Sequence, residues 1–380
     1  MKHERKKSRR EFLTGGQFGR TDDSSPPVDD AMQEKRAGHP DRSADYLEHF
    51  SKNAMACEFE LFFNMGQFSG SGSAALKAFA LIDELEEQLS VYRTSSEITV
   101  LNDLAAREWV SVEVGLFNLL MRGTEISTWT DGAFDMTSSE LSRVWGFTRR
   151  EGQVPTPEAI EAALTQVGYE RLQFDSDTAK VRFQEGGLQI NLGGIGKGYA
   201  LDRAADLLTE QGISDFVLHG GQSSVVARGR ETCRLPADEN GWTIGLSHPL
   251  MPDNRLAEIY LHDAALATSG TGRQGFYYQG QRYGHIIDPR TGYPSDHCLS
   301  STVIAESAAD CDALATAFFV MQPEEVARFC QDHREYKSLL VLPGKSPGSI
   351  HIESFNMGPQ EWRRLDRKSD DTKSDDTVGL

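Results

Sequence analysis

The order of the predicted elements indicates an α+β fold, a single mixed domain in which helices and strands do not alternate regularly. Segments with helical periodicity lie on both sides of a long stretch, residues 215–289, that contains four consecutive strand candidates. This order favours α+β over an alternating βαβ sheet. A chain of 380 residues, 38% of them hydrophobic, is also long enough to bury a substantial core.

The elements follow one another along the chain. In the first half, we predict a strand at 55–65, a helix at 73–92, a turn at 93–104, a strand and helix within 110–132, a helix at 155–168 and a hairpin at 171–192. In the second half, the strand candidates are 215–229, 242–249, 255–270, 275–289 and 336–344, and the helices are 200–212, 311–321 and 324–333.

Both ends of the chain are predicted to be loose. Residues 1–45 are polar, and we expect them to be disordered. They contain SRREFL, with Arg9 and Arg10, which matches the twin-arginine export consensus but lacks the apolar run that should follow. The motif favours export to a periplasmic location, and the missing run favours the cytoplasm. Residues 357–380 are charged and of low complexity, so we predict a flexible tail after a folded domain at 46–356.

Charge and cysteine content exclude several functions. A formal net charge of −18 argues against a nucleic-acid-binding surface. No segment reaches the roughly 18 apolar residues that a membrane span needs. The five cysteines are widely spaced and lack metal-ligand spacing, so neither a disulfide framework nor a zinc site is expected, and Cys311 is expected to be a buried thiol.

The most informative stretch is QINLGGIGKGYALDRA, residues 189–204. It is predicted to turn from an apolar strand into a helix through Gly194, Gly196 and Gly198. Glycines at a helix start allow backbone N–H groups to face an anion, and Lys197 adds a positive charge. The alternative is a tight strand-to-helix turn with a surface lysine.

A second glycine pattern, GTGRQG at 270–275, matches the dinucleotide-binding consensus. An aromatic strand-like run follows it instead of the helix that this consensus requires. We therefore predict a loop between strands, in which Thr268, Ser269 and Thr271 remain candidates for hydrogen bonds to a ligand.

The stretch HIIDPRTGYP, residues 285–294, places His285, Asp288, Arg290 and Thr291 in one turn at the end of a strand. Loops on a rigid sheet often carry catalytic groups, and a histidine can act as general acid or base near neutral pH. A structural role for the histidine is the alternative.

In CDALATAFFVM, Asp312 and Thr316 are four residues apart on one face of an otherwise apolar helix. A carboxylate on such a face needs a partner. A carboxylate, a hydroxyl and backbone carbonyls form a hard oxygen site of the kind that Mg²⁺ accepts. The alternative is an aspartate that caps the start of its own helix.

Together these stretches resemble the ApbE family of flavin transferases, or FAD:protein FMN transferases, over about residues 55–341. The resemblance depends on four ordered motifs: GAFDMTSSELSRVWGF, NLGGIGKGYALDRA, ATSG with YGHIIDPRTGYP, and DALATAFF. It implies a catalytic domain with an FAD cleft. The implied activity is Mg²⁺-dependent transfer of FMN from FAD to a serine or threonine hydroxyl of an acceptor protein, with release of AMP. Family acceptors include subunits of membrane redox complexes.

The resemblance also implies roles for individual residues. His285 is similar to the catalytic histidine of the family. The positions similar to FAD-contacting residues are Tyr92, Ala133, Phe134, Asp135, Asn191, Lys197 and Ile286. The positions similar to metal ligands are Asp312, Thr316 and the carbonyl of Gly194.

Two positions depart from the family pattern. Asn191 stands where relatives commonly have aspartate, and Gln222 stands where many have an acid. Neither change removes an expected metal ligand. Two other functions remain open for this chain: hydrolysis of the FAD pyrophosphate to FMN and AMP, and FAD binding without catalysis.

Overall fold

The computed structural model describes residues 46–148, 151–232, 241–271 and 274–365. The strands, in chain order, are β1 (Leu47–Ala54), β2 (Cys57–Asn64), β3 (Val110–Ser111), β4 (Leu172–Asp175), β5 (Lys180–Phe183), β6 (Phe216–Gly220), β7 (Ser224–Arg228), β8 (Trp242–His248), β9 (Met251–Leu261), β10 (Ala264–Gly270), β11 (Gly275–Tyr278), β12 (Gln281–Gly284), β13 (Ser300–Ala305), β14 (Lys337–Pro343), β15 (Ile350–Phe355) and β16 (Trp362–Arg364). The α-helices are α1 (Ser71–Leu89), α2 (Glu97–Leu104), α3 (Val114–Trp129), α4 (Ser139–Val144), α5 (Pro157–Leu164), α6 (Gly196–Glu210), α7 (Ala308–Val320) and α8 (Pro323–Asp332).

The largest sheet has eight strands and is antiparallel throughout, in the order β1-β2-β6-β7-β10-β13-β14-β15. This mixed arrangement of helices and an antiparallel sheet confirms the predicted α+β class. Three smaller sheets have the orders β11-β12, β16-β9-β8 and β3-β5-β4.

Alternation along the strands gives the large sheet two apolar faces. On β10, Ala265 and Ala267 belong to the main core beside the helices, whereas Leu266 belongs to a second core shared with β8 and β9. On β2, Phe59 is completely buried in the main core and Phe62 packs against the second. The large sheet is thus covered on both sides.

Helix α7 is buried over nearly its whole length because it packs against β10, β13 and α6. This explains why its sequence is apolar on almost every face. Cys311 is completely buried there, as predicted. Among the described helices, none combines the length and apolar composition needed to cross a bilayer.

Two local predictions were wrong. Residues 189–192 form no strand, because the backbone N–H and C=O of Ile190 both bond to the side chain of Asn102 instead of a neighbouring strand, at 2.8 and 3.0 Å. The polar run 93–104 was predicted as a turn, yet it contains α2, whose first turn is capped by the Ser96 hydroxyl bound to Thr99 N–H.

At the C-terminal end, β16 pairs with β9 inside the range that the sequence predicts as a flexible tail. Ordered structure therefore continues at least to Arg364. The twin arginines Arg9 and Arg10 lie outside the described residues.

Candidate functional site

The glycine-rich turn leads directly into α6, whose first and third residues are Gly196 and Gly198. None of Gly194, Gly196 and Gly198 has a positive φ angle, so the turn does not depend on a left-handed conformation. Gly194 instead provides space: a Cβ added there would lie 3.1 Å from the ring of Phe134 and 3.8 Å from Thr316 Oγ1. The turn therefore lies against Phe134 and close to α7.

Asp312 of α7 reaches across to this turn. The residue is 6% exposed, and its Oδ2 accepts hydrogen bonds from Gly198 N–H at 2.7 Å and from Lys197 Nζ at 3.2 Å. Its Oδ1 accepts from the hydroxyl of Ser224 at the start of β7. The carboxylate thus joins the start of α6, α7 and the sheet. It does not cap its own helix, because Ser307 does so by accepting from Asp310 N–H.

Thr316 lies one turn after Asp312 and is only partly buried. Its hydroxyl donates to the Asp312 carbonyl at 3.1 Å and lies 3.2 Å from Ser269 Oγ on β10. The structure therefore brings together the three expected metal ligands, Gly194, Asp312 and Thr316. Lys197 and Ser269 adjoin them.

The segment expected to contact the flavin has two different environments. Ala133 and Phe134 are buried, and Phe134 contacts the glycine turn. The carboxylate of Asp135 is directed into its own loop, where it accepts from Thr137 N–H and Oγ1, both at 2.7 Å, and from Tyr169 N–H at 3.1 Å. Burial raises the pKa of Asp135 despite these bonds. Its side chain stabilises the loop that presents Phe134.

His285 follows β12 and is half-buried. Its Nδ1 lies 3.3 Å from the Gln274 carbonyl, and since a carbonyl only accepts, Nδ1 donates and Nε2 keeps its lone pair. Burial lowers the pKa of His285 below 6.5, and the positive charge of Arg282 adds to this effect. The imidazole is therefore neutral at pH 7 and able to accept a proton.

The other polar residues of the predicted His285 cluster stabilise the turn by bonding to one another. Asp288 binds the Arg290 guanidinium through both oxygens, at 2.9 and 3.0 Å, and its backbone carbonyl accepts from Thr291 and Gly292. Ile286 packs against the main core. The charges of Asp288 and Arg290 are therefore paired with each other, whereas His285 still has Nε2 available for proton transfer.

Two expected FAD contacts lie near the surface. Tyr92 is 77% exposed in the connection between α1 and α2, so its ring is accessible to a ligand. Asn191 Oδ1 accepts from Gly193 N–H at 2.9 Å and shapes the glycine turn.

Gln222 has a φ of +62° in the turn between β6 and β7 and borders a cavity of about 100 Å³ that Val225 and Thr268 also line.

On either side of GTGRQG, β10 ends at Gly270 and β11 begins at Gly275, so the strands that flank this stretch are present as predicted. Two polar residues of the site were missed by the sequence interpretation: Ser224, which binds Asp312, and Asp202 of α6, which binds the start of α7. Asp202 is four residues after Gly198 and so lies on the same helix face, which was the available signal.

Comparison with known proteins identifies the family of this chain. An FAD:protein FMN transferase of Klebsiella pneumoniae is 28% identical over 301 residues, covering 77% of this chain and 91% of that protein. One from Vibrio cholerae is 33% identical over 248 residues, covering 64% of this chain and 72% of that protein. The crystal structure of the ApbE protein from Thermotoga maritima matches with a TM-score of 0.71 at 31% identity, covering 80% of this chain and 96% of that one. The sequence model of the ApbE family matches residues 55–340, and the chain belongs to this family.

Proposed function

We propose that this protein transfers FMN from FAD to a serine or threonine hydroxyl of an acceptor protein, using Mg²⁺ and releasing AMP. The observation that carries the proposal is the convergence of Gly194, Asp312 and Thr316 beside Lys197, in a chain of the ApbE family. A buried carboxylate, a hydroxyl and a lysine at a helix start form a suitable environment for a pyrophosphate and a divalent cation.

The donor set fits Mg²⁺ better than a transition metal. Within the described ranges, no group of three or more His, Cys, Asp or Glu side chains is arranged to hold a metal. The candidate site has one carboxylate, from Asp312, with the Thr316 hydroxyl and the Gly194 carbonyl as neutral oxygen donors. Mg²⁺ accepts such a partial oxygen set together with water and substrate phosphates. When bound, the ion would neutralise charge on the pyrophosphate.

The proposed transfer exchanges one phosphorus–oxygen bond for another. The acceptor oxygen forms a bond to the FMN phosphorus, and the bond from that phosphorus to the bridging oxygen breaks, so AMP leaves with the bridging oxygen. The acceptor hydroxyl must lose its proton. We assign His285 Nε2 as the proton acceptor because its pKa is lowered and its Nδ1 is already bonded to Gln274.

The remaining proposed residues bind and orient FAD. Lys197 is 26% exposed beside Asp312, where it can also approach a phosphate. Tyr92 has an accessible ring that can stack on the isoalloxazine. The buried ring of Phe134 packs against the glycine turn at Gly194. We assign Asp135 and Asn191 to shaping the two loops, since their side-chain oxygens already accept backbone N–H groups.

A mixed incubation tests the proposal. Purified protein, FAD, Mg²⁺ and an acceptor with a Ser/Thr flavinylation site are combined, and the acceptor mass is measured. We expect an FMN adduct that is absent when the acceptor hydroxyl residue is replaced by alanine or when EDTA is added. Release of FMN and AMP without an adduct would indicate hydrolysis, and unchanged FAD would indicate binding alone; either result would reject the transfer.

A further inference from the structure

Helices α6 and α7 cap each other's first turns. Asp312 of α7 accepts from Gly198 N–H, the third residue of α6. In return, Asp202 of α6 accepts from Ala308 N–H at 2.8 Å and from Ala309 N–H at 3.0 Å, the first two residues of α7. A carboxylate at a helix N-terminus satisfies unpaired N–H groups and favours the helix dipole.

The cap that Asp202 provides is completed by Ser307. The Ser307 hydroxyl donates to Asp202 Oδ2 at 2.8 Å and accepts from Asp310 N–H at 3.2 Å. All of the first three N–H groups of α7 are therefore bonded, two of them by a residue of another helix. Asp202 fixes where α7 begins relative to α6.

Close backbone contact makes this register sensitive. A Cβ added at Gly198 would lie 2.0 Å from the Ala308 carbonyl oxygen and 2.6 Å from Ala309 N. Gly198 and Asp202 are one helical turn apart and both contact the start of α7. Any movement of that start would also move Asp312, which is one turn further along α7.

Retaining a charge at Asp202 is unfavourable for folding. Burial raises its pKa to about 6, although its hydrogen bonds and the charge of Arg228 on β7 favour the ionised form. An uncharged residue at this position would avoid the free-energy cost of removing a charge from water.

We propose that Asp202 is a positioning residue for the metal site: it does not touch metal or FAD, and it holds α7 so that Asp312 and Thr316 face Gly194. This inference rests on the proposed Mg²⁺-dependent transfer. It predicts that replacing Asp202 lowers the affinity for metal without lowering the affinity for FAD. Replacing a residue that only stabilises the fold would not lower one affinity without the other.

The test uses full-length Asp202→Asn and Mn²⁺ as a spectroscopic probe, titrated into FAD-saturated protein and followed by electron paramagnetic resonance of the free ion. Asparagine keeps the size but presents an N–H₂ group to a helix N–H. We expect Mn²⁺ affinity to fall about 10- to 100-fold, the range for residues that orient metal ligands. FAD binding measured without metal should stay within about twofold, because a shift of the metal ligands leaves the flavin contacts in place.

Thr156→Ala is the matched control. It removes a side-chain cap from α5, where Thr156 accepts from Ala159 N–H, and the loss of such a cap lowers the stability of the folded protein. This variant should melt earlier yet bind Mn²⁺ like the wild type. Equal Mn²⁺ affinity in Asp202→Asn and the wild type, or an equal loss in the control, would overturn the role of Asp202.

Two other outcomes also decide the matter. If the wild type binds no Mn²⁺ with FAD, the proposed function and this inference fail together. If Asp202→Asn does not fold, Ser307→Ala replaces it, because it removes one partner of Asp202 and leaves Ala308 and Ala309 bonded. A severalfold loss of Mn²⁺ affinity in Ser307→Ala would support the inference, and unchanged affinity would refute it.

Discussion

Replacing Asp312 with asparagine separates metal binding from folding. The asparagine carbonyl can still accept from Gly198 N–H, and its N–H₂ group can donate to Ser224 Oγ, because a serine hydroxyl both donates and accepts. Lys197 loses its ion-pair partner but is 26% exposed, so water can solvate it. We expect the variant to fold with a loss of about 1 kcal/mol.

The effect on the metal should be larger. Asp312 is the one charged donor among the three proposed ligands, and an interaction with a charged group contributes about 1.5–3 kcal/mol. That range corresponds to a loss of about 10- to 150-fold in affinity. The Mg²⁺ concentration for half-maximal FMN transfer should therefore rise at least about tenfold, while FAD binding without metal should change little.

Asp310→Asn is the control for this experiment. Asp310 lies on the same helix and is 7% exposed, but its carboxylate binds Arg122 at 2.6 and 2.9 Å and Tyr336 at 2.8 Å. This variant should lose thermal stability and keep its Mg²⁺ requirement. Full transfer by Asp312→Asn with an unchanged Mg²⁺ requirement would remove Asp312 from the metal site.

Three further changes test other parts of the site. Thr316→Val should raise the Mg²⁺ requirement by up to about tenfold, because a neutral hydroxyl contributes about 0.5–1.5 kcal/mol; an unchanged Mg²⁺ titration would exclude it as a ligand. Tyr92→Ala should weaken FAD binding by about 2- to 12-fold, the equivalent of an aromatic stack, without lowering the melting temperature, and fluorescence titration of FAD measures this. The acid limb of the pH–rate profile should lie below pH 6.5, where His285 becomes protonated. Arg282→Gln should move that limb to higher pH because it removes a positive charge that opposes protonation, and an unmoved limb would contradict the role of His285 as proton acceptor.

Periodicity within one segment predicted much of the fold. Helices α1, α5 and α8 each show the amphipathic repeat that a single sequence displays. The predictions failed where a side chain distant in sequence determines the backbone. Residues 189–192 alternate between polar and apolar side chains and so resemble a strand, but Asn102 forms the hydrogen bonds of Ile190. A local pattern does not reveal a partner 88 residues away.

The same limit applied to the site. Asp312 and Thr316 were predictable because a carboxylate and a hydroxyl stand out on an apolar helix. Ser224 was not predictable, since its partner lies 88 residues away and serine is common on its own. Asp202 was missed because its partner lies 106 residues away, although its place one helical turn after Gly198 was a local signal. In the same way, Asp288 and Arg290 were grouped with His285 because they are close in sequence, whereas their charges neutralise each other within the turn.

The three glycines of the turn also have different structural roles. The sequence suggested one shared purpose, exposure of N–H groups to an anion. A Cβ at Gly196 would meet its nearest neighbour, Leu192, at an ordinary 3.5 Å, so packing does not demand glycine there. A Cβ at Gly198 would overlap the Ala308 carbonyl, so glycine is required for α6 to approach α7. Because Gly198 N–H also binds Asp312, the same glycine allows the two helices to pack and holds the carboxylate at the start of α6.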